Sequence, residues 1–269
     1  MNGLIKVGDN FLLLGGNEKG GSFKYYLMQH LVQKGLESGK LEKGQLVAEI
    51  CAGKSALALA IVGQEYGLKV RVYVPDFFPS ADILKLRDLG SEVVVRESSK
   101  LQEILFELEK LHASGEGYWV RQNFNPDGRT AYSALARKVM PDIGLPDSFV
   151  CGIGSGITLQ SFGLALSEKN PALKLFGIFS DDISGLRPQK MRITFLTYED
   201  LGSRASLEKL LGGSLQLSSL NNDEVSDAKN KLYSLGIKAG DSTAAVYTLM
   251  QRNGLRNSLG FGMDGRFIS

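Results

Sequence analysis

Residues 46–75 read LVAEICAGKSALALAIVGQEYGLKVRVYVP and hold two short apolar runs with a helical stretch between them. The apolar runs are residues 46–50 and 69–75, and the segment from Ser55 to Tyr66 follows a helical pattern that ends before Gly67. Short apolar runs joined by a helix of this length are typical of parallel strands with a crossover connection. The stretch therefore predicts one βαβ unit.

The same alternation continues along the chain and forms two series. Further strands are predicted at 91–96, 117–122, 148–153, 173–180 and 258–263, and further helices at 81–89, 100–112, 159–167, 223–235 and 242–252. Between 181 and 222 the pattern weakens. We therefore predict the α/β class, with two open parallel-sheet αβα domains and a ligand cleft between them, where the strands end.

Composition excludes several other classes of protein. The chain has 269 residues, and its 31 Lys and Arg against 29 Asp and Glu leave a net charge of +2. A nucleic-acid binder needs a clustered excess of cations, so we expect no nucleic-acid partner. No window is long and apolar enough to span a membrane, and the N-terminus does not resemble a signal peptide. Two Cys and two His, never clustered, predict reduced thiols in the cytoplasm and no metal site.

Glycines are grouped in four segments, at 15–26, 50–60, 151–163 and 236–246. The third segment, CGIGSGITLQSFG, ends a predicted strand and opens a predicted helix. Backbone N–H groups at a helix N-terminus bind anions, and glycine allows the close approach. This segment is therefore a candidate phosphate cradle, and a tight turn without a ligand is the alternative interpretation.

The second glycine segment also fits a loose P-loop pattern, from Ala48 through Gly53 and Lys54 to Ser55. A P-loop would make the protein a nucleotide triphosphatase, with Asp181 as a candidate magnesium ligand. Glu49 stands where that loop should be and looks like part of a strand. A P-loop enzyme stays an alternative at this point.

The first glycine segment contains the candidate reactive residue. Gly20-Gly21-Ser22-Phe23-Lys24 places a lysine just inside a predicted helix that Ser22 begins. The positive end of a helix favours the neutral amine, which is the form that makes a Schiff base. An ordinary surface lysine is the alternative interpretation.

Seven segments in order resemble the fold-type-II pyridoxal-phosphate enzymes, the group of cysteine synthase, cystathionine β-synthase and threonine dehydratase in the tryptophan synthase β superfamily. The lysine segment GGNEKGGSFKYYLMQ (15–29) resembles the family's lysine motif. The other segments are 46–75, ILKLRDLGSEVVV (83–95), RQNFNP (121–126), FVCGIGSGITLQSFGLAL (149–166), GIKAGDSTAAVYTLM (236–250) and MDGRFIS (263–269). The resemblance covers most of residues 10–269 and implies pyridoxal 5'-phosphate as the cofactor.

The resemblance also implies roles for individual residues. Lys24 is implied as the lysine that binds the cofactor covalently and moves the proton, and Ser242 as the partner of the pyridine nitrogen. The cofactor phosphate is assigned to Gly154, Ser155, Gly156, Ile157 and Thr158. In the second glycine segment, Lys54 is assigned to the cofactor, and Cys51, Ala52 and Ser55 are assigned to the substrate. Gln122 is the remaining candidate for recognition of the substrate carboxylate.

Several positions depart from the family pattern. The family loop T-S-G-N-T-G reads Cys51, Ala52, Gly53, Lys54, Ser55, Ala56 here, so two hydroxyls are lost and a cation replaces an asparagine. Lys54 could pair with the ring oxygen of the cofactor or with an anionic substrate. Near the lysine, the usual Asn-Pro is Glu18-Lys19, and the usual arginine is Tyr26.

These observations predict a specific organisation and activity. Residues 15–135 are expected to form a smaller, mobile domain with Lys24, and residues 1–14 and 136–269 a larger domain that anchors the cofactor. The expected reaction is β-replacement or β-elimination on serine or an O-activated serine, through an aminoacrylate, by a homodimer. Two alternatives remain: a relative acting on a carboxylate-masked or carrier-bound amino acid, and a P-loop enzyme or catalytically silent binding module.

Overall fold

The computed structural model describes residues 3–154, 156–179, 215–218, 220 and 222–268. Its strands are β1 (Leu4–Val7), β2 (Asn10–Leu14), β3 (Leu46–Ile50), β4 (Lys69–Pro75), β5 (Glu92–Arg96), β6 (Gly117–Trp119), β7 (Ser148–Ile153), β8 (Lys174–Phe179), β9 (Leu215–Ser218), β10 (Ile237–Lys238), β11 (Ser258–Gly262) and β12 (Arg266–Phe267). Its helices are α1 (Lys24–Glu37), α2 (Lys54–Tyr66), α3 (Ser80–Asp88), α4 (Leu101–Ala113), α5 (Ser133–Ile143), α6 (Ile157–Ser167), α7 (Asn222–Ser234) and α8 (Asp241–Arg252). The predicted α/β class is confirmed.

The first sheet has four parallel strands in the order β5-β4-β3-β6. Successive residues of β3 pack on opposite faces: Val47 joins the core formed with α1 and α2, and Ala48 joins the cluster formed with α4. Because both faces are covered by helices, the strands are almost continuously apolar rather than alternating. This explains why the run at 46–50 is visible in the sequence.

The second sheet has six strands in the order β1-β2-β11-β7-β8-β9. Strand β1 pairs antiparallel with β2, and every other pair in this sheet is parallel. Leu13 belongs to the core that includes α5 and α6, while Leu12 and Leu14 belong to the cluster with α7 and α8. The second sheet is therefore also covered on both faces.

Several elements and one strand end differ from the sequence prediction. Strands β1, β2, β9, β10 and β12 and helix α5 were not predicted. Pro141 lies inside α5 and interrupts its helical signal, although Val139 and Ile143 are buried at helical spacing. Strand β6 ends at Trp119 instead of residue 122, because Arg121 takes a left-handed φ of 58° and turns the chain off the sheet. The residue Ser180 at the end of the predicted strand 173–180 lies outside the described residues.

The four-stranded and the six-stranded sheet are formed from different parts of the chain. The first uses residues between 46 and 119, and the second combines residues 4–14 with strands from 148 onward. One apolar core contains side chains of both, including Val47 of β3 and Phe149 of β7. The division into domains at residues 15 and 135, and the mobility of the smaller one, stay predictions. Across the part of the chain that is described, no helix is long and apolar enough to cross a membrane.

Candidate active site

A cavity of about 310 Å³ lies where the strands of both sheets end. The parallel strands β3, β7 and β11 point their carboxyl ends at it, which is the usual position of ligand sites in open α/β sheets. The lining residues are Lys24, Ile50, Ala52, Gly53, Lys54, Ser55, Gln122, Asn123, Gly152, Ile153, Gly154, Gly156, Thr158, Ile178, Ser242, Ala245, Phe261, Met263 and Asp264. The structure thus brings together residues that are more than 200 positions apart.

Lys24 is the first residue of α1 and lines the cavity. Its backbone N–H donates to Ser22 Oγ at 3.2 Å, so Ser22 does stabilise the start of this helix. The neighbouring Phe23 is fully buried, with its ring centroid 4.6 Å from that of Phe261 in β11. This contact anchors the start of α1 to the second sheet and fixes where Lys24 enters the cavity.

The phosphate cradle predicted from the sequence lies at the start of α6. Gly156 precedes the helix with a left-handed φ of 71°, a conformation that favours glycine, and Gly154, Gly156 and Thr158 line the cavity. Ile157 begins the helix and is buried. Ser155 lies outside the described residues. The first N–H groups of an α-helix have no partner within the helix, so the start of this 11-residue helix at the cavity meets the requirement of an anion site.

Ser242 lies in the first turn of α8 and lines the cavity. The Ser242 Oγ atom is buried, and it neither donates nor accepts a hydrogen bond within the described structure. The next residue, Thr243, is held by the Asp264 carboxylate, which accepts from the Thr243 N–H at 3.1 Å and from its hydroxyl at 2.5 Å. The Ser242 hydroxyl is therefore on a rigid support, and its hydrogen-bonding capacity is directed to whatever occupies the cavity.

The loop before α2 divides into a buried and an exposed part. Cys51 is 1% exposed and does not line the cavity, and burial raises the pKa of its thiol. Ala52 and Lys54 are exposed at the rim of the cavity, and Ser55 is buried beneath them. Of the candidate substrate contacts in this loop, Cys51 is therefore the one that the structure keeps away from the cavity.

Gln122 lines the cavity and is 6% exposed. Its side-chain amide donates to the Ile50 carbonyl oxygen at 3.2 Å and to Ser55 Oγ at 3.4 Å. Its backbone N–H donates to Oε2 of Glu49 at 2.8 Å. Gln122 thus bridges the end of β3 and the first turn of α2, and it is held at both its main chain and its side chain.

The family departures near Lys24 compensate one another. The Tyr26 hydroxyl donates to Glu18 Oε2 at 2.8 Å, and burial raises the pKa of Tyr26 to about 12, so the phenol stays neutral. Lys19 pairs with Glu65 of α2 at 2.5 Å, and the Tyr25 hydroxyl donates to the same carboxylate. These contacts support the lysine loop at the positions where the family pattern has Asn, Pro and Arg.

The P-loop alternative does not fit the structure. Ala48, Glu49 and Ile50 belong to strand β3, and the Glu49 carboxylate is 1% exposed and hydrogen-bonded inside the protein. A phosphate-binding loop would need these residues to wrap a triphosphate with their backbone. The candidate magnesium ligand Asp181 lies outside the described residues. In the part of the chain that is described, no three His, Cys, Asp or Glu side chains are grouped to hold a metal ion.

Comparison with known proteins shows the family. The model of the pyridoxal-phosphate dependent enzyme family matches residues 7–261, and the chain belongs to this family. A cysteine synthase of Helicobacter pylori is 33% identical over 163 residues, which are 59% of this chain and 53% of that protein. An O-acetylserine dependent cystathionine beta-synthase of Bacillus subtilis is 30% identical over 161 residues, 58% of this chain and 52% of that protein. The matches span about half the length of these relatives.

Solved structures show the same fold. The O-acetylserine dependent cystathionine beta-synthase from Helicobacter pylori superposes with a TM-score of 0.78 at 26% identity and covers 95% of this chain and 87% of its own. A hydrogen sulfide-producing enzyme from Fusobacterium nucleatum gives a TM-score of 0.79 at 21% identity, over 94% of this chain and 80% of its own, which bears on the fold alone. The protein is thus a pyridoxal-phosphate dependent enzyme with a tryptophan synthase β-like fold.

The cavity fits pyridoxal 5'-phosphate on its own features. It contains a lysine, a buried hydroxyl that the described protein leaves unpartnered, and a glycine-rich helix start with free N–H groups. These three groups match the aldehyde, the pyridine nitrogen and the phosphate of the cofactor in chemistry.

Three residues of the site were missed by sequence reasoning. Asn123 and Asp264 line the cavity, and Glu49 lies buried behind it. Glu49 and Asp264 both stand in segments that carry the family resemblance, at the glutamate of the second segment and the aspartate of the last. The resemblance therefore included both residues, but neither looks reactive in the sequence until its burial and hydrogen-bond partners are known.

Proposed function

We propose that this enzyme catalyses β-replacement or β-elimination on serine or an O-activated serine. The observation that carries the proposal is the convergence of Lys24, Gln122, Ser242 and the start of α6 on one cavity. The cysteine synthase and O-acetylserine dependent cystathionine beta-synthase relatives support the same class of reaction.

The cofactor, when bound, supplies an electron sink that makes the α-proton of an amino acid acidic. The Lys24 amine is the base placed to take this proton and to return it later. The N–H groups at 156–158 would hold the phosphate, and the Ser242 hydroxyl would make a hydrogen bond to the ring nitrogen. A hydroxyl does not keep that nitrogen protonated as a carboxylate would, so the sink is moderate and favours loss of a group from Cβ.

In this proposal the Ser55 hydroxyl donates to the substrate carboxylate, and Gln122 holds Ser55 in place. Gln122 donates one amide hydrogen to Ser55 Oγ at 3.4 Å and the other to the Ile50 carbonyl oxygen, and its Oε1 can only accept. The loop lacks hydroxyls at Cys51 and Ala52, and carboxylate binding therefore depends on Ser55 and backbone N–H groups. Asn123, beside Gln122 in the cavity wall, is a further candidate contact.

Reduction with borohydride tests the assignment of Lys24. The purified protein with its cofactor is expected to be yellow, to lose its visible absorption on reduction, and to carry the reduced label on the peptide with Lys24. The Lys19→Ala variant is the control, because Lys19 lies in the same loop but pairs with Glu65. A label on any other lysine, or a colourless protein that does not take up added cofactor, contradicts the proposal.

Titration with O-substituted serines then tests the reaction. A change of the visible spectrum on adding O-acetylserine, followed by release of acetate with or without a thiol, is the expected result. A protein that binds the cofactor but leaves every O-substituted serine unchanged contradicts this reaction.

A second candidate is a substrate whose carboxylate is masked or carrier-bound. It is favoured by the exposed Ala52 and Lys54 at the rim of the cavity, where the family has hydroxyl and amide side chains. Lys54 lies at the N-terminus of α2, where a cation is unfavourable by about 0.3–1 kcal/mol unless an anion is near. The Lys54→Asn variant is expected to keep the cofactor and to change which amino acids alter its spectrum.

We propose that the active form is a homodimer in the cytoplasm with a small amino acid as its partner. Light scattering of the purified protein tests the dimer, and a monomer at all concentrations contradicts it. Cys51 and Cys151 are both free and buried, which agrees with the reduced thiols expected in the cytoplasm.

A further inference from the structure

The Glu49 carboxylate lies behind the cavity wall and is 1% exposed. Its Oε1 accepts from the Ile50 N–H at 2.8 Å and from Trp119 Nε1 at 3.3 Å, and its Oε2 accepts from the Gln122 N–H at 2.8 Å. Buried carboxylates are costly, and this one has three donors from two different strand ends. The three hydrogen bonds offset part of the cost of burying this carboxylate.

The contact with Gln122 replaces a missing strand contact. Strand β6 pairs with β3 up to Trp119, and the Val120 N–H still donates to the Ala48 carbonyl oxygen. Arg121 then takes a left-handed φ of 58°, which lifts the chain off the sheet. The next N–H, that of Gln122, finds its acceptor in the Glu49 side chain. Glu49 therefore determines where the chain re-enters the cavity wall.

A chain of hydrogen bonds continues from this carboxylate to the substrate loop. Gln122, held by Glu49 through its backbone, donates from its side chain to Ile50 and Ser55. Ile50, whose N–H also binds Glu49, is the last residue before the loop. The Glu49 carboxylate thus holds two parts of this cavity wall, the end of β3 at Ile50 and the segment at Gln122.

The same carboxylate acts on Lys24 by its charge. The ionisable groups that interact with Glu49 in the described structure are Lys24 of α1, Cys51 after β3 and Tyr118 of β6. Burial raises the pKa of both Cys51 and Tyr118, so these two are neutral near pH 8. Burial raises the pKa of Glu49 to about 7, although the hydrogen bonds from Gln122, Ile50 and Trp119 and the charge of Lys24 lower it. Because charge interactions are reciprocal, ionised Glu49 favours the protonated Lys24 nitrogen.

We propose that Glu49 is a positioning residue of this site: it holds Gln122 and the end of β3 in place, and its negative charge acts on the nitrogen that links Lys24 to the bound cofactor. This proposal rests on the assignment of Lys24 as the lysine that binds the cofactor. The positive end of the α1 dipole disfavours a proton on the Lys24 nitrogen. The negative charge of Glu49 opposes this effect.

The test is a pH titration of the visible absorption of the bound cofactor, which reports the protonation of the Lys24 nitrogen without turnover. The wild type is compared with Glu49→Gln and with Glu103→Gln. Glu103 is an exposed residue of α4, so its variant removes the same charge away from the cavity. In Glu49→Gln the midpoint is expected to fall by about one pH unit, a tenfold loss of proton affinity. Glu103→Gln is expected to keep the wild-type midpoint.

The outcomes separate this proposal from the proposed function. If the visible absorption has the same pH dependence in the wild type and in Glu49→Gln, the role of Glu49 is overturned and the assignment of Lys24 stands. No visible absorption in any variant, the wild type included, overturns the assignment of Lys24. If Glu49→Gln does not fold, Glu49→Asp is measured; it keeps the charge and is expected to keep the midpoint within about 0.3 pH unit, and a fall by a full unit overturns the proposal.

Discussion

At the scale of single residues, the site is defined by polar groups whose burial needs an explanation. Ser242 Oγ is buried with no hydrogen-bond partner in the described structure, whereas Ser161 Oγ, equally buried, accepts from the Tyr132 N–H at 2.6 Å. An unpaired buried hydroxyl costs about 1–3 kcal/mol, so the fold gains nothing from it. In the proposed site, a hydrogen bond to the bound cofactor would offset this cost.

Two alanine variants compare these serines directly. Ser242→Ala is expected to leave the thermal stability of the cofactor-free protein unchanged or slightly higher, and to weaken cofactor binding by about tenfold, the worth of one hydrogen bond of about 1.4 kcal/mol. Ser161→Ala is expected to do the opposite, because it removes the acceptor of a buried N–H. Thermal unfolding and equilibrium cofactor titration measure both. Equal cofactor affinity in the two variants would argue against a ring-nitrogen contact at Ser242.

Glu49 gives a second prediction at this scale. Burial raises its pKa from an ordinary 4.5 to about 7. Between these two values the native state holds a proton that the unfolded chain releases, so the free energy of unfolding falls as the pH rises through this window. The pKa difference of about 2.5 units corresponds to at most about 3 kcal/mol. Below pH 4.5 the wild type carries none of this penalty, and above pH 7 it carries all of it.

The difference in unfolding free energy between the wild type and Glu49→Gln isolates this contribution. It is expected to change with pH from 4.5 to 7 in favour of the variant and to be constant outside that window. Urea denaturation at a series of pH values measures it, and Glu103→Gln is the control. Two curves that stay parallel through the window would mean that Glu49 is ionised at its ordinary pKa.

At the scale of elements, helix starts and strand ends supply the site. Helices α1, α2, α6 and α8 all begin at the cavity, and strands β3, β7 and β11 all end there. This arrangement follows from parallel pairing, because parallel strands deliver all their carboxyl ends to one edge of a sheet. The turn at each helix start then decides which backbone groups face the ligand.

The start of α6 is testable with two glycines of similar conformation. Gly156 has φ 71° and ψ −10° at the cavity, and Gly67 has φ 65° and ψ 38° after α2, away from it. Alanine at either position is strained by about 1–2 kcal/mol. Both variants are therefore expected to lose similar stability, but only Gly156→Ala is expected to lose cofactor on dialysis. Retention of the cofactor by Gly156→Ala at the wild-type level would show that the phosphate binds elsewhere.

At the scale of the whole molecule, the cavity takes its walls from both sheets. Lys54, Ser55 and Gln122 follow strands of the first sheet or begin its helices, and Gly154 and Ser242 belong to the second. A ligand held on both sides links the two halves thermodynamically. At a free concentration 100 times its dissociation constant, a ligand stabilises the native state by about 2.7 kcal/mol.

Added cofactor is accordingly expected to raise the unfolding temperature of the whole protein in one transition. Hydrogen exchange is expected to slow at the starts of both α2 and α8, which lie on opposite walls of the cavity. The Ser242→Ala variant, measured at the same cofactor concentration, should show a smaller rise. Protection confined to one of the two helices would mean that the cofactor binds to one half only.

The sequence by itself determined the alternation of strands and helices, the glycine clusters and the lysine at the start of α1. These features depend on neighbours within a few residues: apolar runs that both faces of a sheet bury, a left-handed position that only glycine takes easily, and Ser22 two residues before Lys24. Family resemblance then connected them to one cofactor. Strand β6 was predicted three residues too long because its end depends on the backbone turn at Arg121, which no residue type signals.

Only the tertiary structure decided which polar groups are buried and what they contact. Cys51 and Ala52 are adjacent in sequence, yet one is buried away from the cavity and the other is exposed at its rim. The acceptor of the Gln122 N–H, 73 residues away, is the carboxylate of Glu49. Burial, pairing and the resulting pKa depend on groups that the sheets bring together across the chain, and for that reason a local pattern could not show them.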